Sequence, residues 1–253
     1  MIRLIGGEVR KLFTTKLWLW MLLGAIAITA LFMSFTIALD GSEGNPQPPL
    51  STPEGQRNLF GVAGASGVFV LILGIIAITG EFRHQTVTPT FLATPHRGRV
   101  VIAKLVTYAL AGIGYGAAVI AFAVALALPW LAAKDIDVSL TGNGIPGAMA
   151  GTLAGVAVYA VLGVGVGALV RNQIAAIVGS LVYLFVIEAF ASALPKIRDY
   201  YEYFPGGAYA AVTGTSQPGV ELLEPWQGGA LLVAYGVVFS FAGTWLAVRR
   251  DVS

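Results

Sequence analysis

The amino-acid sequence predicts an all-α, polytopic membrane protein with six transmembrane helices. Of its 253 residues, 57% are hydrophobic and only 11% are charged, whereas soluble domains carry roughly 25% charged residues. The apolar residues fall into six continuous runs, each near or above the ~20 residues needed to cross a ~30 Å hydrocarbon core. Because these runs lack the polar–apolar alternation of barrel strands, helices are favoured over a β-barrel.

The six runs and their connections define the predicted organisation of one transmembrane domain over residues 1–253. The predicted spans are residues 17–39, 60–80, 100–132, 145–170, 174–194 and 228–248. Residues 40–58 are polar and rich in Gly, Pro and Ser, which predicts a loop. Spans four and five are separated only by residues 171–173, which predicts a tight hairpin, since one continuous helix of that length does not fit a bilayer.

The first sixteen residues form an amphipathic pattern, in which apolar residues alternate with charged ones. Glu8, Arg10 and Lys11 are charged residues of this segment, and they lie among Ile, Leu, Val and Phe side chains. This pattern is typical of a helix that lies along the membrane surface. The sequence therefore predicts an interfacial helix over residues 1–16.

The distribution of Lys and Arg predicts the orientation. Ten of the fifteen cations lie in the N-terminus, the segment between spans two and three, the turn between spans four and five, and the C-terminus, and an eleventh, Lys104, lies at the start of span three on the same side. Cytoplasmic loops carry the excess of Lys and Arg. Both termini are therefore predicted to be cytoplasmic.

Several kinds of site are excluded by what the sequence lacks. It has no cysteine and only two histidines, His84 and His96, which excludes disulfides and Cys- or His-rich metal sites. It has no phosphate-binding loop and no nucleophile–base–acid set, so no catalytic residue, no metal and no nucleic-acid partner is expected. The glycine series at 147, 151 and 155 and at 163 and 167 has the spacing of close helix packing in membranes.

The segment 81–99 is the most informative connection in the sequence. It begins with Glu81 at the end of span two, continues through a Thr-rich stretch and ends in spaced cations after Pro95. The simplest interpretation is an interfacial loop whose cations only set the topology. The alternative is a contact surface for another protein, and the pattern alone favours neither.

Two motifs carry a resemblance to a known family. The loop motif Glu81-Phe82-Arg83-His84-x-Thr86-x-Thr88 with Thr94-Pro95-x-Arg97, followed by Lys104-Leu105, resembles the loop after the second helix of bacterial ABC-2 type exporter permeases. The N-terminal Glu8-x-x-Lys11-Leu12-x-Thr14-x-Lys16-x-Trp18 is similar to the opening of that family. Gln85 departs from the family, which usually has Gly there. Within the non-spanning segment 195–227, residues Pro195 to Gly207 resemble the part of the family that has short re-entrant helices between helices five and six.

The resemblance implies a transporter subunit without catalytic residues of its own. Two such subunits, identical or paralogous, would pair in a bacterial plasma membrane among the lipids. Each would dock on one subunit of a cytoplasmic ABC ATPase dimer, which binds ATP and Mg. The loop would act as the coupling helix, with the coupling role falling on Glu81, Arg83, His84, Thr86, Pro95, Arg97 and Arg99.

Glu188 is the one ionisable residue well inside a predicted span. Such residues usually face the protein interior or water. A site on the substrate path or at the dimer seam, with Tyr183 nearby, and a purely structural hydrogen-bonded carboxylate are both compatible with the sequence. Tyr200, Tyr203 and Phe204 are candidates for the same path, although aromatic residues also anchor segments at membrane interfaces.

The predicted function is therefore the membrane subunit of an ATP-driven exporter. An amphipathic or lipid-like substrate is expected, such as a drug, an antibiotic, a peptide or a lipid, because wholly apolar spans offer few polar contacts. The alternative function is a non-transporting scaffold or sensor subunit docked to an ATPase. An intramembrane enzyme is disfavoured, because Glu188 alone supplies too few polar groups.

Overall fold

The protein is helical throughout its described part and has six helices that are long and apolar enough to cross a membrane. The structure is a computed structural model that describes residues 1–43, 45, 47–83, 97–215 and 219–250, leaving out the side chains of 97 and 244–250. The prediction of an all-α polytopic membrane protein with six transmembrane helices is confirmed.

Eleven helices are seen in the described residues. They are α1 (Ile2–Thr14), α2 (Leu17–Ala38), α3 (Pro53–Gly61), α4 (Gly67–Arg83), α5 (Arg97–Ala132), α6 (Ile145–Val170), α7 (Gln173–Val182), α8 (Glu188–Ala193), α9 (Pro195–Arg198), α10 (Pro205–Thr213) and α11 (Pro225–Arg250). A short amphipathic helix, α1, precedes the first span, and the short helices α9 and α10 lie between the fifth and sixth spans.

Helix α6 is the centre of the bundle, and α4, α5 and α11 pack around it. Its glycines allow backbones to come close: a Cβ on Gly163 would lie 2.1 Å from the carbonyl oxygen of Leu71 in α4. A Cβ on Gly151 would lie 2.0 Å from the carbonyl oxygen of Val212 in α10. Gly147 has no neighbouring atom within 4 Å of such a Cβ, so it takes no part in this packing.

The second span begins earlier than the sequence predicted and is not one regular helix. Helix α3 begins at Pro53, inside the segment predicted to be a loop, and a 3₁₀ turn over Val62–Ser66 joins it to α4. Thr52 caps α3, since its hydroxyl accepts a hydrogen bond from the Gly55 N–H at 3.1 Å. The prediction of a loop up to residue 58 was therefore wrong, because the N-cap threonine and the proline at the first helical position start a helix there.

The connection between the fourth and fifth spans is a two-residue turn. Arg171 adopts the left-handed conformation with φ 58°, which ends α6. Asn172 begins α7 by accepting a hydrogen bond from the Ala175 N–H at 3.0 Å. The guanidinium of Arg171 lies 5.7 Å from the ring centre of Phe82 and donates to the Gly243 carbonyl at 2.9 Å. This arginine thus ties the turn to α4 and α11.

The connection between the second and third spans is shorter than the predicted 81–99. Residues 81–83 complete α4, and α5 already begins at Arg97. At 1.5 Å per residue, the 36 residues of α5 extend about 54 Å, well beyond a ~30 Å hydrocarbon core. Residues 84–96 lie outside the described part.

Candidate functional site

Four charged side chains meet where α1 crosses the ends of α4 and α5. We call Glu8, Lys11, Glu81 and Lys104 the charge tetrad. The amphipathic pattern of α1 turns Glu8 and Leu12 inward, while Arg10 stays exposed. Glu81 lies in the last turn of α4, and Lys104 lies about two turns into α5.

The tetrad is a network of short ion pairs. The Lys104 Nζ lies 2.5 Å from Glu8 Oε2 and 2.8 Å from Glu81 Oε1. The Lys11 Nζ lies 2.7 Å from Glu8 Oε1 and 2.7 Å from Glu81 Oε1. Each lysine therefore bridges both carboxylates.

Burial makes this network different from a surface ion pair. Only 2% of the Lys104 side chain is exposed, and Glu8 and Glu81 are exposed by 6% and 13%. Lys104 also donates to the Ala77 carbonyl at 3.3 Å. Removing one partner from a buried pair leaves an uncompensated charge and costs about 3–5 kcal/mol. The tetrad therefore holds α1, α4 and α5 in one arrangement.

Lys11 is the solvent-exposed member of the tetrad, since 51% of its side chain is exposed. Partial burial lowers the pKa of Lys11, but the hydrogen bonds and charges of Glu8 and Glu81 outweigh this and raise it above the ordinary value. A raised lysine pKa favours the folded state below the unfolded-state pKa of about 10.4, and the contribution is lost as the pH rises through the folded-state pKa. Lys11 therefore stays charged at neutral pH.

The structure places some of the predicted coupling residues and not others. Glu81 pairs with the N-terminal helix through Lys11. Arg83 and Arg99 are exposed at the helix ends on either side of residues 84–96. His84, Thr86 and Pro95 lie outside the described residues, as does the side chain of Arg97.

Lys104 is the member of the tetrad that sequence reasoning missed as a site residue. The sequence analysis counted it only as a topological cation and as part of a family motif. Its position offers a signal, because it lies inside the apolar stretch of α5, seven residues after Arg97. A lysine at such a depth needs a buried partner.

A second polar cluster surrounds Glu188, near the other end of the fifth span. Glu188 is 3% exposed. One of its oxygens accepts a hydrogen bond from the Gly206 N–H at 2.9 Å, and the hydroxyls of Tyr183 and Tyr201 lie close enough to interact with the carboxylate. The contact with Gly206 is so close that a Cβ there would lie 1.6 Å from Glu188 Oε2. Glu188 thus fastens the fifth span to the start of α10.

A π-helical turn over Tyr183–Ile187 explains how Tyr183 reaches Glu188. In a π turn, the N–H of one residue bonds to the carbonyl five residues earlier. Here the Glu188 N–H bonds to the Tyr183 carbonyl. Residues five apart therefore share one face of the helix, which a regular α-helix does not allow.

The predicted aromatic residues of the segment 195–227 lie beside this cluster. Tyr200 and Tyr203 are exposed, Phe204 is partly buried, and all three line a cavity of about 560 Å³ together with Tyr183. The Tyr235 hydroxyl of α11 donates to the Tyr203 carbonyl at 2.8 Å. The structure thus brings Tyr183, Glu188 and these aromatic residues together, as the sequence analysis grouped them.

The comparisons with known proteins identify no relative. No family model matches the chain, and no curated protein and no solved structure matches it. Within the described residues, no group of three or more His, Asp or Glu side chains is placed to hold a metal ion.

Proposed function

We propose that this chain is the membrane subunit of an ATP-driven exporter of the ABC-2 type. In this proposal, it pairs with a second copy or a paralogue in a bacterial plasma membrane, with both termini in the cytoplasm. A separate cytoplasmic ABC ATPase dimer binds ATP and Mg and hydrolyses the nucleotide. The chain itself supplies the path for an amphipathic or lipid-like substrate.

The charge tetrad is the observation that supports this proposal most strongly. Residues 84–96 connect α4 directly to α5, and the tetrad joins the ends of those two helices to α1. A protein that pulls on residues 84–96 therefore acts on three helix ends that move together. Breaking the buried ion pairs costs several kcal/mol, so they connect the three helices firmly. A loop that served only to set the topology would need no such connection.

Coupling then follows from the difference in ATP affinity between two states of the complex. ATP binding closes the ATPase dimer and favours the permease conformation that matches the closed dimer. The tetrad carries the displacement of residues 84–96 into α4 and, through close glycine contacts, into α6. Helix α6 is the central element, so its shift changes the packing of the other spans.

The aromatic cavity favours transport over a purely scaffolding or sensing role. A non-transporting subunit needs the docking surface but no space for a substrate. The cavity of about 560 Å³ between α6, the fifth span and α11 offers such space. Its size lies within the range of small-molecule sites.

Affinity purification from native membranes tests the proposal. The tagged chain, extracted in mild detergent, is expected to bring down a protein with an ATP-binding phosphate loop and vanadate-sensitive ATP hydrolysis. Purification without any such ATPase, under conditions in which the chain stays folded, would contradict it.

Paired substitutions at the two ends of the second span sharpen this test. Arg83→Gln changes an exposed cation next to residues 84–96, and Arg57→Gln changes an exposed cation at the opposite end of the same span. We expect R83Q to weaken ATPase retention and R57Q to leave it unchanged. Equal ATPase retention by both variants would contradict the proposal that the ATPase binds at the end of the bundle that carries Arg83.

A further inference from the structure

The aromatic cavity lies apart from the charge tetrad and has a lining of unusual composition. Six of its residues are aromatic, namely Tyr183, Tyr200, Tyr203, Phe204, Tyr235 and Phe239. Most of the others are aliphatic, and none is Lys or Arg. Such a wall solvates a hydrophobic body, and its ring faces attract a positive charge.

Glu188 supplies a buried carboxylate beside this wall, since it interacts with Tyr183, one of the lining residues. It accepts a hydrogen bond from the Gly206 N–H, and the Tyr183 and Tyr201 hydroxyls near it are neutral. In the part of the chain that the structure describes, no Lys, Arg or His forms an ion pair with it. The tetrad lysines, by contrast, each meet two carboxylates. The described residues thus supply a hydrogen bond to Glu188 but no counter-charge.

Tyr183 connects this carboxylate to the cavity. Its side chain lines the cavity and also interacts with Glu188, since the π turn puts the two residues on one helix face. π turns inside α-helices are often found at functional sites. A cation against the Tyr183 ring would therefore face the negative side of the ring with a carboxylate behind it.

From this charge complementarity, we infer that the aromatic cavity is a binding site for amphipathic monovalent cations, with Glu188 as their counter-ion. The hydrophobic body lies against the aromatic and aliphatic wall, and the charge lies at the Tyr183 ring. An anion of the same shape meets the negative ring faces and the carboxylate, so it is excluded. The role of these cations as exported substrate rests on the proposed function, whereas binding itself needs only this chain.

A pair of ions with the same shape and opposite charge tests the inference. Tetraphenylphosphonium is a hydrophobic cation, and tetraphenylborate is its anionic counterpart. Equilibrium dialysis of the full chain in nanodiscs is expected to show specific binding of the phosphonium, at least about tenfold tighter than any binding of the borate. Equal binding of the two ions beyond that of empty nanodiscs would overturn the inference.

Substitution of the carboxylate separates charge from shape. Glu188→Gln keeps the side-chain size and an oxygen that accepts hydrogen bonds, and it is expected to weaken phosphonium binding at least about tenfold. The matched control is Glu54→Gln, an exposed acid at the start of α3, which is expected to change nothing. Unchanged phosphonium affinity in E188Q would overturn the assignment of the counter-ion.

A second variant keeps the test decisive if E188Q does not fold. Tyr203→Leu replaces a half-exposed ring of the cavity wall and is expected to weaken phosphonium binding about threefold or more through loss of a cation–π contact. Unchanged phosphonium affinity in Y203L would overturn the assignment of the binding site. Because dialysis uses no ATPase and co-purification uses no ligand, failure of the cation site and failure of the proposed exporter function remain distinguishable.

Discussion

Lys104 is the buried cation on which the charge tetrad depends. Its ammonium group contacts both Glu8 and Glu81, and only 2% of its side chain is exposed. At the scale of single residues, the arrangement of α1, α4 and α5 at this end of the bundle therefore depends on compensation between charges. The compensation is testable because each member has a neutral replacement of similar size.

Replacing Lys104 by methionine is expected to destabilise the protein by about 3–5 kcal/mol, because Glu8 and Glu81 lose their buried counter-charge. Thermal unfolding in detergent, followed by tryptophan fluorescence, measures the effect. The control is Lys16→Met, which changes an exposed lysine close by in the sequence. Equal melting temperatures for K104M and K16M would contradict the proposed contribution of the tetrad.

Adding Glu8→Gln to K104M is expected to recover part of the lost stability, since the double variant removes one negative charge along with the positive one. A double-mutant cycle measures this coupling, which lies at about 0.5–3 kcal/mol for residues in one network. Strictly additive effects would mean that Glu8 and Lys104 do not act as a pair.

Single residues of this site were predictable only in part. Glu8, Lys11 and Glu81 could be singled out, because a charged residue at a membrane boundary in an amphipathic or motif context is conspicuous. Their meeting could not be predicted, because Glu8 and Lys104 are 96 positions apart and one sequence carries no information on such pairs. Lys104 was missed because a lysine near a span end also satisfies the topology rule.

At the scale of elements, close backbone approach determines how α4 and α6 pack. Gly163 lies against the Leu71 carbonyl, and Gly74 lies against the Ala160 carbonyl. Without a hydrophobic driving force between helices in lipid, such van der Waals contact is a main source of association. The same contacts transmit a movement of α4 to the central helix.

Gly163→Ala is expected to destabilise the protein by about 1–3 kcal/mol, because the new methyl group overlaps backbone atoms that cannot rotate away. Gly147→Ala in the same helix is the control, since its Cβ meets no atom within 4 Å, and a change within about 1 kcal/mol is expected. Thermal melting compares the two variants, and a lower melting temperature for G147A than for G163A would contradict the proposed packing of α4 against α6.

The regular helices were predictable from hydropathy, but their irregular turns were not. The 3₁₀ turn at Val62–Ser66 and the π turn at Tyr183–Ile187 both interrupt continuous apolar runs. Hydropathy depends on composition, so it does not register a change in hydrogen-bond pattern within a run. The start of α3 at Pro53 had a capping signal in Thr52, which the polar composition of residues 40–58 outweighed in the prediction.

At the scale of the whole molecule, the six spans place the tetrad and the aromatic cavity at different positions along the bundle. The tetrad lies at the end where α4 finishes and α5 begins, which the charge distribution predicts to be cytoplasmic. The Glu188 cluster lies near the end of the fifth span, beside the short helices α9 and α10. This separation fits a molecule that is driven at one side and binds a substrate elsewhere.

The orientation can be tested by cysteine labelling, because the chain has no native cysteine. Ser42→Cys is expected to react with a membrane-impermeant maleimide on intact cells, whereas Thr15→Cys is expected to react only after permeabilisation. Both positions are exposed in the structure. Labelling of T15C on intact cells would contradict the predicted cytoplasmic location of the N-terminus.

Photo-crosslinking from residues 84–96 tests the central claim, that a separate ATPase drives this chain through the end that carries the tetrad. Benzoylphenylalanine placed at Phe91 is expected to form a light-dependent adduct with a protein that contains an ATP-binding phosphate loop. The same probe at Ser42, on the opposite side, is expected to give no such adduct. An ATPase adduct at Ser42 but not at Phe91, or none at either position, would contradict the account.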